Sequence, residues 1–284
     1  MSLLFAQFLN GIVIGMVYFL LAFGLSLIFG VQNFVNFAHG SLFLIGAYLG
    51  ITMAGRLGWF WPAIVIVPLL VGGIGMAIEW LLLRRLYAAG HIYQILGTYG
   101  LALVIVETVI LVWGPFTQSV DAPDLLRGVF RIGSAVVPVY RVFVVAATGL
   151  IGLILWFIIQ RSRFGLQLKA SAESSEMSAA LGVNVPSVFR RTFALGAATA
   201  GIAGVLAAPM QGVTPGSGDE IMGIAFAVVV IGGLTTISGV FLASLAVGLV
   251  QSIGIVFWPE GGSILVYVLM ALVLLTTRHE LASA

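Results

Sequence analysis

Apolar residues gather in nine long runs, at about 5–29, 37–55, 60–83, 92–113, 138–160, 188–210, 221–236, 238–257 and 262–277. Crossing the hydrocarbon of a bilayer takes about 20 apolar residues, and a backbone in lipid must satisfy its own polar groups. Each run therefore predicts a helix. The seventh is short and interrupted at Gly232-Gly233, so the expectation is about eight or nine crossings in one domain covering 1–284.

Two polar stretches interrupt this pattern. Arg161–Arg191 holds five of the twelve basic residues, between runs that carry no Asp, Glu, Lys or Arg. Within it, Ser171 is suited to cap a short helix Ala172–Leu181, with Glu173 and Glu176 near the positive end and Gly182 as the stop. Met177, Ala180 and Leu181 then fall at i, i+3 and i+4 and form an apolar knob. Asn184-Val185-Pro186 restarts a helix, with proline in its first turn. Such a helix would fit a groove in a soluble partner or lie on lipid headgroups, and its acidic, base-free surface suits anionic lipid poorly. The other stretch, 114–138, contains a hairpin pattern: Val129–Ile132, then Gly133-Ser134, then Val136–Tyr140. It reads either as a receiver for an extracytoplasmic protein or as a lid.

Charge sets the orientation. Arg84, Arg85, the Arg161–Arg191 loop and Arg278 fall on one side, which makes that side cytosolic, with the N-terminus outside and the C-terminus inside. Trp59, Trp61, Trp113 and Trp258 all fall at predicted outer ends, as interfacial tryptophans should. The first basic residue is Arg56, so the opening run lacks the basic region of a cleaved signal and reads as a retained span.

Composition narrows the class. Hydrophobic residues make up 61% of the chain and charged residues 8%, against roughly a quarter charged in a soluble domain. This is a polytopic, all-α membrane protein. Its net charge of +2 comes from a few loop arginines and implies no nucleic-acid partner. With no cysteine, disulfides and cysteine-held metals are excluded. No metal-ligand spacing and no catalytic constellation assembles. The lone lysine, Lys169, is followed by Ala170, so there is no phosphate-binding P-loop and the chain is no ATPase.

Small residues recur at helical spacing: Gly196, Ala200, Gly204; Ser244, Gly248, Ser252; Gly11, Gly15; Gly46, Gly50. Such faces let helix backbones approach closely. Leu20–Gly50 and Ile224–Leu249 both run span, small or polar break, span, a pseudo-repeat of broken-helix pairs of the kind found along translocation paths. Asn36 is expected to cap the second span, with His39 in its first turn either structural or lining the path. Thr98 and Glu107, nine residues apart, lie on opposite faces of the fourth helix. Glu107 is read as an interhelical or outer-interface hydrogen bonder. Glu79 is expected to snorkel toward the basic end. Asp219 and Glu220 suit a helix start. The pathway candidates are Asn36, His39, Gly40, Thr98, Gly232 and Gly233.

Gly24–Gly30 (GLSLIFG), Asn36-Phe37-Ala38-His39-Gly40 and Gly46-Ala47-Tyr48 closely resemble the opening of branched-chain amino-acid ABC transporter permeases of the Liv H type. Similar matches are Gly165, Leu181-Gly182-Val183-Asn184, Phe193-Ala194-Leu195-Gly196 and Phe226–Gly233. The resemblance covers nearly the whole chain. It implies a bacterial inner-membrane permease paired with a second homologous permease, two cytosolic ATPases that carry ATP and magnesium, and a periplasmic solute-binding protein. It also implies that Ser171, Glu173, Glu176, Met177, Ala180, Leu181 and Gly182 form the coupling helix, and that this chain holds no cofactor. Two departures stand out: Ile224 where many members have lysine, and Thr235–Gly239 in place of a more usual Gly-Ser-x-x-Gly. The wider family also looks able to carry urea, amides or small organic acids, which leaves the solute open. The rival reading is an ion-coupled transporter or passive channel using Glu107 or His39.

Overall fold

The structure, a computed structural model, describes residues 2–87, 89–132, 135–233, 236–259 and 261–282. Helices occupy all nine apolar runs. In chain order they are α1 (Ser2–Gln32), α2 (His39–Ile51), α3 (Phe60–Leu86), α4 (His91–Trp113) and α5 (Val139–Arg161). After them come α6 (Arg163–Glu173), α7 (Ser175–Ala180), α8 (Val185–Ala207), α9 (Ser217–Gly232), α10 (Ile237–Phe257) and α11 (Gly262–Ala282). Before α5, β1 (Val129–Ile132) and β2 (Ala135–Pro138) pair antiparallel, with Val129 opposite Pro138. This is the hairpin expected from sequence, except that its second strand stops at Pro138. The expected turn, Gly133-Ser134, lies outside the described residues.

Among the described residues, five helices are long and apolar enough to cross a membrane: α1, α3, α4, α5 and α10. The other four depart from that standard for different reasons. α9 is short, at 16 residues, and α2, 13 residues long, runs on through a π turn at Thr52–Arg56 that ends on a basic residue. α11 has a shorter apolar portion, Gly262–Thr276. α8 carries Arg190 and Arg191 in its second turn and is rich in Gly and Ala beyond them. Its second half is buried on nearly every side by the chain's own helices, so it needs little lipid-compatible surface.

α1 and α8 form the centre. α1 lies against α10, α8, α9 and α5, and α8 lies against α3, α2 and α1. The small-residue faces foreseen in the sequence are the contacts. A methyl group added to Gly46 would sit 2.4 Å from the carbonyl oxygen of Gly201, and one on Gly24 would sit 2.7 Å from that of Gly196. On the other side of α1, Gly248 presses on the backbone of Gly11 and Gly15. At these points helices touch backbone to backbone, which only small residues permit.

Candidate functional site

α1 ends where Asn33 turns to φ 55, a left-handed conformation that asparagine tolerates better than other residues with a Cβ. The chain then folds back into the bundle. Asn36 Oδ1 accepts the Ala38 amide at 3.1 Å, and the helix begins at His39 with Ala38 in the cap position. Asn36 therefore closes the turn before α2 and does not cap it, as the sequence had suggested. His39 Nε2 lies 3.0 Å from the Leu21 carbonyl of α1. The Phe37 amide donates to Thr98 Oγ1 at 3.3 Å, and Ser41 Oγ donates to the Ala102 carbonyl at 3.4 Å.

Ala102 is the middle residue of the 23-residue α4. α2 thus starts about halfway across the apolar slab that α4 is long enough to span. α9 starts at the same depth, because a methyl on Gly40 would sit 2.1 Å from the Gly218 carbonyl oxygen. Two helix N-termini therefore meet inside the bundle, opposite the middle of α4. Asn36 and His39 are fully buried. Asn36 Nδ2 and His39 Nδ1 have no hydrogen-bond partner.

Asn36, His39, Gly40 and Thr98 are therefore brought together, while Gly232 and Gly233 are not. Gly232 lies fourteen residues beyond Gly218 on α9, about 21 Å along the axis. There it packs against Gly239, and Gly233 ends the helix at φ 84. The two glycines serve a helix-to-helix turn, next to Leu234 and Thr235, which lie outside the described residues.

The two membrane carboxylates sit in opposite surroundings. Glu79 does not snorkel: it is 1% exposed, inside a π-helical turn at Glu79–Leu83, and Tyr87 Oη donates to its Oε1 at 2.8 Å. The extra residue of a π turn rotates the side chains that follow it, which brings Tyr87, eight residues on, over the acid. Glu107 is on the exposed face of α4 and makes no hydrogen bond or ion pair within the chain among the described residues. It does not bridge the chain's own helices.

The polar segment after α5 forms two helices where one was expected. Ser162 Oγ accepts the Gly165 amide and caps α6, which runs to Glu173; Ser174 Oγ accepts the Met177 amide and caps α7. Ser171 is not a cap but a buried residue inside α6. Glu173 accordingly lies at the C-terminal end of α6, and only Glu176 occupies the first turn of α7. A serine cap was legible, but three serines, Ser171, Ser174 and Ser175, competed for it. Ala180 ends α7, and Gly182 turns out at φ 86 as foreseen. Asn184 Oδ1 accepts the Ser187 amide to start α8. Met177 and Leu181 are 61% and 78% exposed, an apolar knob beneath the bundle.

Residues 7–274 match the family described as branched-chain amino acid transport system, permease component. The chain belongs to this family. It is 30% identical over 286 residues to the high-affinity branched-chain amino acid transport system permease protein BraD of Pseudomonas aeruginosa, covering 95% of this chain and 92% of that protein. It is 29% identical over 285 residues to the permease protein LivH of Escherichia coli, with the same coverage. A probable branched-chain amino acid transport permease protein LivH of Methanocaldococcus jannaschii is 30% identical over 241 residues, 82% of this chain and 76% of that one. No solved structure matches the chain. It is a multi-pass membrane permease and not an enzyme.

Sequence reasoning missed the residues around the foot of α4. Gln94, four residues before Thr98 on the same helix, was not read as a site residue, yet it is buried and ties α4 to the end of α3, donating to the carbonyls of Leu86 and Ala89. Tyr87 was not singled out at all. A tyrosine eight residues after a glutamate in an apolar helix was the available signal, but no ideal helical spacing pairs those positions.

Proposed function

We propose that this chain is one half of the membrane channel of an ATP-driven importer for branched-chain or other neutral amino acids. The observation that carries this is near full-length similarity to permeases named for branched-chain amino-acid transport. The second half is a homologous permease, two cytosolic ATPases supply the energy from ATP and magnesium, and a periplasmic binding protein delivers solute to the 114–138 side. The protein sits in a bacterial inner membrane with its N-terminus outside and its C-terminus cytosolic, an orientation the arginine bias supports.

The α7 knob is the point of force. ATP-driven closure of the partner moves α7 as a rigid body. Gly182 and the Asn184 cap join it within a few residues to α8, which packs on α1, α2 and α3. A push on α7 therefore reaches the helix starts at His39 and Ser217 through backbone-to-backbone contacts that can slide. The path lies along Asn36, His39, Gly40 and Thr98, and its lack of a strong binding carboxylate leaves selectivity to the binding protein. Glu107 lies inside the apolar slab on a face its own chain leaves open, and an ionisable group there is expected to meet a cavity or a protein partner. That face of α4 is assigned to the second permease.

Uptake by the complete assembly in proteoliposomes tests the reading. Met177→Arg or Leu181→Asp should abolish co-purification of the ATPases and ATP-dependent uptake while the subunit still inserts. Vectorial uptake by this chain alone, without nucleotide, would overturn it.

A further inference from the structure

A groove of about 850 Å³ runs down the side of the bundle between α1 and α5 and reaches α6 and the start of α10. Along most of its length the walls are apolar, with Phe19, Phe23, Trp156 and Phe241 beside the small residues Gly149 and Gly152. Phe19 and Phe241 meet edge to face at 5.2 Å, and a methyl on Gly152 would sit 2.8 Å from the Phe19 ring. Gly149, Leu153 and Trp156 are exposed, so the groove opens sideways along a helix long and apolar enough to cross a membrane. Where α5 gives way to α6, the lining changes character and includes Gln160, Lys169 and Glu173.

From Gly149 to Gln160 the groove follows α5 for about 17 Å along its axis. One leaflet of bilayer hydrocarbon is about 15 Å deep, half of the whole core. The apolar part is therefore as long as a leaflet is deep, and the charged end lies where a headgroup would. The charges there select among headgroups. Lys169 Nζ donates to Gln160 Oε1 and pairs with no carboxylate among the described residues. An ammonium has three donors, so two are left for a ligand. Glu173, four residues on, shares that face of α6 and makes no ion pair among the described residues; the Cβ atoms of such a pair lie about 5–6 Å apart. A purely anionic headgroup would suit the lysine and be repelled by the glutamate. A trimethylated ammonium carries no N–H to give the carboxylate. A phosphate joined by a short link to a primary ammonium satisfies both residues at once.

We propose that this groove holds a phospholipid with a phosphoethanolamine headgroup, its phosphate on Lys169, its ammonium on Glu173 and an acyl chain along α1 and α5. The lipid belongs to the cytosolic leaflet, a point that rests on the orientation reading above. α6 leads through Ser174 into the α7 knob. A lipid held here braces that arm against α1 and α5.

Native mass spectrometry of the purified full chain, titrated with phospholipids of identical acyl chains and different headgroups, tests this. Phosphatidylethanolamine should be retained about tenfold more tightly than phosphatidylglycerol or phosphatidylcholine, the scale of one hydrogen bond to a charged group. Glu173→Gln should erase the advantage over phosphatidylglycerol, and Lys169→Gln should weaken both lipids. Both positions are exposed, so neither change threatens folding. Gly149→Phe, where a methyl would meet only Met16 at 3.7 Å, should fill the groove and lower retention of every lipid. Equal retention of the different headgroups, or an unchanged preference in Glu173→Gln, overturns the proposal. Loss of the bound lipid on adding the second permease also overturns it, because the groove would then be a subunit interface. The chain has no cysteine, so Lys169→Cys supplies a single thiol that reports the leaflet. It should react with an impermeant maleimide only after spheroplasts are permeabilised. Labelling from outside would overturn the orientation and the cytosolic leaflet while leaving the headgroup preference standing.

Discussion

Helices α8 and α4 are both 23 residues long, and their surroundings are opposite. α8 carries two arginines in its second turn and is built on glycine and alanine, yet its second half is enclosed by α1, α2 and α3. α4 is far more apolar but buries a single stripe, Gln94, Thr98, Ala102, Ile105 and Val109, and leaves the rest open. Its polar groups follow suit: Gln94 and Thr98 lie on the stripe and Glu107 off it. Hydropathy measures what a helix can tolerate from lipid, whereas central position comes from how closely backbones approach. The less lipid-like of the two therefore lies at the centre, beside the strongly apolar α1, and the more lipid-like one keeps most of its surface open.

The sharpest way to break this comparison is to place the same bulk on both. Gly46→Leu drives a side chain into the Gly201 backbone and should cost at least about 3 kcal/mol, since neither backbone can yield. Gly100→Leu on α4 meets nothing within 4 Å and should cost nothing measurable. Recovery of monodisperse protein after detergent extraction reads both, and similar losses in the two would contradict the contrast.

Tyr87→Phe comes next. It leaves the buried Glu79 carboxylate without the phenol that donates to it, an expected loss of about 2 kcal/mol. A shift in thermal unfolding checks this, and an unchanged midpoint would mean that Glu79 reaches water after all. Ser174→Ala removes the α7 cap at about 1 kcal/mol, whereas Ser171→Ala leaves it. Faster amide exchange over 175–180 in the first variant alone is the expected result. The smallest effect is that of Glu107→Gln, which should leave uptake largely intact. Loss of a proton-dependent component would favour ion coupling instead.

Several of these outcomes follow from features visible in the chain before any folding. The nine apolar runs, the hairpin at Val129–Ile132, the glycine stop at Gly182, the Asn184 start of α8 and every small-residue face were legible. Each depends on neighbours within a turn or two. The Gly46 and Gly204 faces could be read as close-packing surfaces, but not as surfaces that meet each other's helices. The candidate site was legible by half. Asn36, His39, Gly40 and Thr98 converge, while Gly232 and Gly233 had only a break in hydrophobicity to recommend them.

Local pattern determined this chain's class, its helices and its lack of a P-loop motif, because hydrophobic runs, caps and motif spacings act over a few residues. Only the folded bundle decided that the starts of α2 and α9 meet, that Glu79 is buried and that Gln94 ties α4 to the end of α3. These depend on the depth and rotation at which distant helices pack, and no periodicity along one helix encodes the register of another.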